Sequence, residues 1–192
     1  MPLSPLMLMS RSRNFATWNP SDKNADIALS SGNRVATSAG GDVTTHRGVR
    51  ATVGKSAGKW YWELTFTSGL YMQPGVAVIS EGLSFDTSYT GLTDTSIYHP
   101  NGRTYAPSPG GTAYGATFAA GDVIGLALDM GAGTLVMYKN NSSQGTMRSG
   151  ISGTYYPYLL EFDGDVTVAT ANFGASTMAY AAPSGFNQGL WL

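Results

Sequence analysis

The run Gly58-Lys59-Trp60-Tyr61-Trp62-Glu63-Leu64-Thr65-Phe66 constrains this chain more than any other segment. Side chains alternate along an extended strand, so Trp60, Trp62, Leu64 and Phe66 share one face and Tyr61, Glu63, Thr65 and Thr67 the other. A strand this rich in aromatic residues needs a second layer to bury them, which predicts a sheet packed on one side. The rest of the chain repeats the theme. Asp26–Leu29 and Arg34–Thr37 flank a Ser30-Ser31-Gly32-Asn33 turn, and Thr95–His99 and Arg103–Tyr105 bracket Pro100-Asn101-Gly102. Gly75–Ile79 is a nearly continuous apolar run and is expected at the centre of a sheet. In Asp122–Leu128, Ile124, Leu126 and Leu128 fall on one face. The small Gly125 and Ala127 on the other permit close approach by a neighbouring layer. Tyr158–Phe162 and Asp165–Phe173 are expected to pair around Asp163-Gly164. No segment sustains an apolar period of 3.6 residues, so almost no helix is expected. The predicted fold is all-β, a bent antiparallel sandwich, over residues 15–192, behind an arm of residues 1–14.

Composition removes several function classes. Only 12% of residues are charged and the net charge is −1, which leaves no basic surface to grip a nucleic-acid backbone. Without cysteine there are no disulfides, thiolate metal sites or thiol nucleophiles. No apolar run is long enough to span a bilayer, so membrane insertion is not expected. The first residues lack a basic stretch and are interrupted by Pro5, which argues against a secretory leader. Leu3, Leu6, Met7, Leu8 and Met9 nevertheless make the arm apolar; it reads either as a disordered terminus or, more sharply, as a tether buried against a partner subunit.

Catalytic chemistry has little support. His46 and His99 have no second histidine or carboxylate at ligand spacing, and both are expected to be solvated or bonded within turns. No Gly-x-Ser-x-Gly elbow occurs. Glu161, Asp163 and Asp165 alternate, but Asp163-Gly164 reads as a turn that splays them into solvent. Glu63 is expected to make an ordinary cross-strand or loop hydrogen bond, and Asp122 to hold turn amides. No cofactor or metal is expected. The aromatic residues in or near loops, Tyr71, Phe85, Tyr89, Tyr98 and Tyr105, suit a contact surface, because such rings give area with few torsions to freeze; the other reading is that several of them cap the sandwich core.

Six blocks of the chain resemble the SPRY domain, the core of the B30.2 module. They are Gly58–Glu63, Tyr114–Phe118 with Ala120–Gly125, Leu128-Asp129 with Gly133–Leu135, Tyr138–Asn140, Tyr155–Pro157 and Ala171–Gly174. The resemblance covers roughly residues 15 to 190. It implies a bent, concanavalin-like sandwich whose partners dock on loops along one edge. Here these would be Ser38–His46, Leu70–Gln73, Phe85–Thr95, Ala106–Gly111 and Glu161–Asp165. Candidate contact residues are Tyr71, Phe85, Tyr89, Arg103, Tyr105 and Asp163, the last standing where the family often has a bulky residue.

Thr17–Lys23 and Arg50–Ser56 are similar to the Gly- and Thr-rich form of the domain in bacteria and their viruses. The expectation is therefore a non-enzymatic, oligomeric phage virion protein (capsid decoration, head fibre or tail adhesin). It would bind capsid or tail proteins through its arm, and a host receptor or glycan through its loops. A lectin-like carbohydrate-binding module is the alternative.

Overall fold

The computed structural model describes residues 13–40, 42–105, 111–163 and 166–192. The expected arm residues Leu3, Leu6, Met7, Leu8 and Met9 lie outside them. Among the described residues there is no helix; sixteen strands form two sheets packed face to face. The strands are β1 (Trp18–Lys23), β2 (Ile27–Ser30), β3 (Val35–Ser38), β4 (Asp42–Ala51), β5 (Lys59–Ser68), β6 (Met72–Ala77), β7 (Ser84–Asp86) and β8 (Thr95–Tyr98). They continue as β9 (Arg103–Tyr105), β10 (Thr112–Ala113), β11 (Val123–Asp129), β12 (Thr134–Lys139), β13 (Ser142–Arg148), β14 (Tyr156–Asp163), β15 (Val168–Asn172) and β16 (Asn187–Gln188). The first sheet runs β1-β4-β14-β6-β8-β9-β10, with β7 on β4. The second runs β13-β12-β11-β5-β15-β3-β2, with β16 on β5. All ladders are antiparallel except the short one between β16 and β5.

The aromatic strand lies at the centre of the second sheet, and Trp62, Leu64 and Phe66 are fully buried against the first. Ile124, Leu126 and Leu128 of β11 join them from beside, and Trp18, Val49, Met72 and Leu159 meet them from the opposite layer. Trp60 packs on this core only in part. The β2–β3 hairpin and the β8–β9 hairpin around Asn101-Gly102 form as the turn residues predict. Gly125 does permit close approach, but by Tyr61 of the adjacent strand in the same sheet rather than by another layer: a Cβ there would lie 2.3 Å from the Tyr61 hydroxyl oxygen.

Three expectations need correction. β14 and β15 do not form a hairpin. β14 pairs with β4 and β6, and β15 with β3 and β5, so the chain crosses between sheets after Asp163. A Gly-containing link reads the same in sequence whether it reverses a strand within its sheet or carries it to the next layer. The outer face of β5 is not open either. Residues 175–190 return across it, leaving Tyr61 and Glu63 buried, and Glu63 accepts hydrogen bonds from Ala179 N (2.7 Å) and Tyr180 N (2.9 Å). Tyr98, expected near a loop, is a core residue of β8.

β6 is central and every residue in it is buried, as its apolar run demands, although the strand ends at Ala77 and Ile79 is exposed. The outer face of the first sheet is roofed by residues 79–94. Under the roof sit Phe85, Tyr89, Leu92, Ile97, Tyr158 and Leu160, a second apolar cluster separate from the inter-sheet core. The two ends of the described chain meet at one corner, where Phe15 bridges Trp191 and Ala16 N donates to Leu190 O at 2.8 Å.

Gly75 lets β6 and β8 approach: a Cβ there would lie 1.9 Å from the Ser96 carbonyl oxygen. Backbone cannot swing aside as a side chain can. Gly75→Ala is therefore expected to cost at least about 3 kcal/mol, read as a lowered urea midpoint.

Candidate binding surface

At one end of the roofed face, aromatic side chains from five separate segments close into a ring. Cross-strand register starts it. Arg47 pairs with Glu161 and Glu161 with Met72, so His46, Phe162 and Tyr71 follow in line on the outward side. The β8–β9 turn adds His99 and Tyr105, and the roof adds Tyr89. Centroid distances run Tyr71–His99 5.5 Å, His99–Tyr105 5.4 Å, Tyr105–Tyr89 4.3 Å, Tyr89–His46 4.2 Å, His46–Phe162 4.5 Å and Phe162–Tyr71 5.7 Å. Four of these distances lie in the range of about 4.5–7 Å where aromatic pairs attract beyond simple area burial, and the two to Tyr89 are closer still.

Tyr89 holds this ring together. Its φ of +55° is a conformation that non-glycine residues rarely adopt. Asp86 supports it, with Oδ1 accepting from Ser88 N (3.0 Å) and Thr90 N (3.1 Å). The Tyr89 hydroxyl then donates to Gln73 Oε1 at 2.7 Å, while Gln73 Nε2 is buried with no hydrogen-bond partner. The roof itself is fastened by charge. Arg50 grips Asp22 with two bonds (2.7 and 2.8 Å) and donates to Glu81 O at 2.6 Å. Glu81 Oε2 accepts from Asp94 N (2.7 Å), Thr95 Oγ1 (2.8 Å) and Thr93 N (3.0 Å).

Both histidines are buried, which corrects the expectation that they are solvated. His99 is also turn-bonded, as read from sequence, since its Nδ1 accepts from Asn101 N at 3.1 Å. His46 lies on β4, not in a loop, and its Nδ1 donates to Asp86 O at 2.9 Å. Burial lowers the pKa of each ring to about 4, with the neighbouring imidazole adding to the effect at His46. Both are neutral at pH 7, and neither bonds a hydroxyl or a carboxylate among the described residues. They act as aromatic surface with polar edges.

Glu161, expected in a solvated turn, is instead fully buried on the inward face opposite Arg47, and burial raises its carboxyl well above the usual range. The side chain of Asp163 and all of Asp165 lie outside the described residues. Glu63 and Asp122 match their readings; Asp122 accepts from Ala119 N at 2.8 Å.

Of the expected contact residues, Tyr71, Tyr89 and Tyr105 meet in the ring, and Tyr71 and Tyr105 remain partly exposed. Arg103 is exposed beside it and donates to Gly111 O at 2.8 Å. Phe85 is not a surface residue. It packs under the roof, and Tyr89 is itself 7% exposed. Sequence reasoning missed His46, His99 and Phe162. Alternation in β14 puts Phe162 on the side of Tyr158 and Leu160, a signal that was available. Two exposed apolar side chains lie on neighbouring loops: Leu70 (57%), which directly precedes Tyr71, and Val166 (51%), the backbones of these loops touching at Gly69 and Thr167.

A family model for the SPRY domain matches residues 59–167, more than half of the sequence. The chain belongs to the SPRY family. Ran-binding protein 9 of Xenopus laevis is 29% identical over 185 residues, 93% of this chain and 33% of that protein. Ran-binding protein 9 of Homo sapiens is 30% identical over 165 residues, 82% of this chain and 22% of that protein. The chain thus spans a third or less of these curated relatives. The SPRY domain of human HERC1 superposes with a TM-score of 0.69 at 18% identity, covering 83% of this chain and 99% of that one. Stonustoxin gives 0.66 at 22% identity, covering 82% of this chain and 27% of that one. These two likenesses concern the fold. The expected virion location is overturned, because the relatives by sequence are cellular proteins of frogs, fish and mammals.

The ring gives folding a pH dependence of definite sign. Each histidine has a folded pKa of about 4, below the ordinary 6.5, so the unfolded chain binds more protons between these values. Stability is fully present above pH ~6.5 and falls toward pH ~4, by on the order of 3 kcal/mol per ring. Glu161 works the opposite way, stabilising the fold at low pH and losing that contribution as pH rises through its raised pKa. Urea unfolding of wild type and His46→Phe across this range separates the terms. The variant is expected to keep the stacking and lose about half of the histidine-linked slope.

Proposed function

We propose that this SPRY domain is a non-enzymatic protein-binding module that receives an apolar segment of a partner on the aromatic ring and its Leu70–Val166 border. One observation carries the reading: a fixed aromatic patch, partly exposed at Tyr71, Tyr105 and Phe162, is joined through Tyr71 to Leu70, one of two large apolar side chains left in water on neighbouring loops. Apolar area of that kind, beside polar groups such as Arg103, is where protein partners gain most from desolvation. Membership of a family whose domains generally mediate protein–protein contacts supports it. Two neutral imidazoles held by burial at a pKa of about 4 make poor bases at neutral pH, which supports the non-enzymatic part.

The glycan alternative has weaker support. A sugar-binding platform needs a free ring face, and the faces of Tyr89 and Tyr105 are turned on each other at 4.3 Å.

Selecting peptides from a random display library on the intact chain tests the proposal, with Ran, from which the curated relatives take their name, as a second probe. Ligands are expected to lose at least about tenfold in affinity on Tyr105→Ala or Leu70→Asp, with the thermal midpoint little changed for the exposed Leu70, and to be indifferent to Thr146→Val on β13 of the second sheet. Ligands that bind all variants equally would place the contact surface elsewhere and overturn the reading.

A further inference from the structure

The opposite side of the sandwich carries a cleft of about 370 Å³. Its floor is the outer face of β5 and β15, one wall is the β2–β3 turn, and the other is the strap of residues 175–180. The volume falls in the range of small-ligand sites. Five of the eleven lining residues carry hydroxyls, Thr65, Thr170, Ser176 and Thr177 among them, and the single guanidinium is that of Arg34.

Arg34 is held in place without being neutralised. Its Nε donates to Ser31 O at 3.0 Å and its Nη1 to Ser176 Oγ at 3.2 Å. Nη2 makes no hydrogen bond, and no carboxylate pairs with this side chain, among the described residues. The wall facing it is fixed too, because Asn172 Nδ2 donates to Ser176 O (3.3 Å) and Thr177 O (2.9 Å). Glu63, the acid on the floor, is already served. Its oxygens accept from the Tyr61 hydroxyl and from Ala179 N and Tyr180 N, so fixed dipoles meet its charge. The cleft thus offers a positioned cation with free donor capacity, surrounded by hydroxyls that can add further bonds. That is the donor set for an oxyanion.

We infer that this cleft binds a small ligand through a carboxylate or phosphate group, with Arg34 giving the charge-assisted bonds and Thr65 and Thr177 adding hydroxyl donors. The site is independent of the aromatic ring, which lies on the outer face of the other sheet.

The test titrates the isotope-labelled full chain with inorganic phosphate, with acetate, and with glucose as an uncharged control, following backbone amide shifts. Saturable shifts at Arg34, Thr65, Thr170 and Thr177 are expected with at least one anion and not with glucose, and the anion that saturates lower identifies the class. Arg34→Gln is expected to weaken binding about tenfold or more at unchanged fold. Thr65→Val should weaken it severalfold and decides the matter if Arg34→Gln does not fold. Absence of saturation with either anion, shifts induced equally by glucose, or binding that survives the substitutions would each overturn the inference.

Discussion

Both faces of the first sheet are covered, and the cover on its outer side depends on two buried charges. Arg50 and Glu81 sit at the base of the roof. One anchors it to β1 through Asp22, and the other gathers the amides and a hydroxyl of residues 93–95. Each is deeply buried and each is satisfied by several charge-assisted bonds, the condition under which buried charge is tolerated. The ring follows from this. Without the roof, Tyr89 would have no reason to stand at positive φ over Gln73, and the two imidazoles would be wet and basic. The electrostatic anchor therefore sets the chemistry of the surface a few residues away.

The two sheets share a plan but differ in finish. The first is closed on its outside by a long loop that delivers aromatic residues. The second is crossed by the returning C-terminal strap, pinned to one acid, Glu63, which follows Trp62 on the central strand. A strap held along one line leaves room beside that line, and the cleft at Arg34 is that room. Both outer surfaces thus arise where a buried charged group on a strand, Arg50 on β4 or Glu63 on β5, recruits cover for itself.

Local patterns in the sequence were sufficient for the sandwich. The alternation of Trp62, Leu64 and Phe66, the Asn101-Gly102 turn and the small Gly125 each dictate local geometry without reference to distant residues. What could not be read was cover. Alternation assigns Tyr61 and Glu63 correctly to a face, but whether that face is wet, like the burial of His46 and Glu161, depends on segments tens of residues away. The same gap explains Phe85, a loop aromatic turned inward, and the mistaken hairpin at Asp163. Tyr71, Tyr89 and Tyr105 could be named as loop aromatics, but their closure with His46, His99 and Phe162 depends on the pairing of β4, β14 and β6. No local signal encodes that pairing.

The meeting of Phe15 with Trp191 has a consequence for how the slab can be carried. Polypeptide attached at either end would leave from the same corner, so a longer chain could detour through the domain and resume its course almost where it left. The aromatic ring takes no residue from that corner. The domain could then hang from a larger protein as a pendant with the ring side left open.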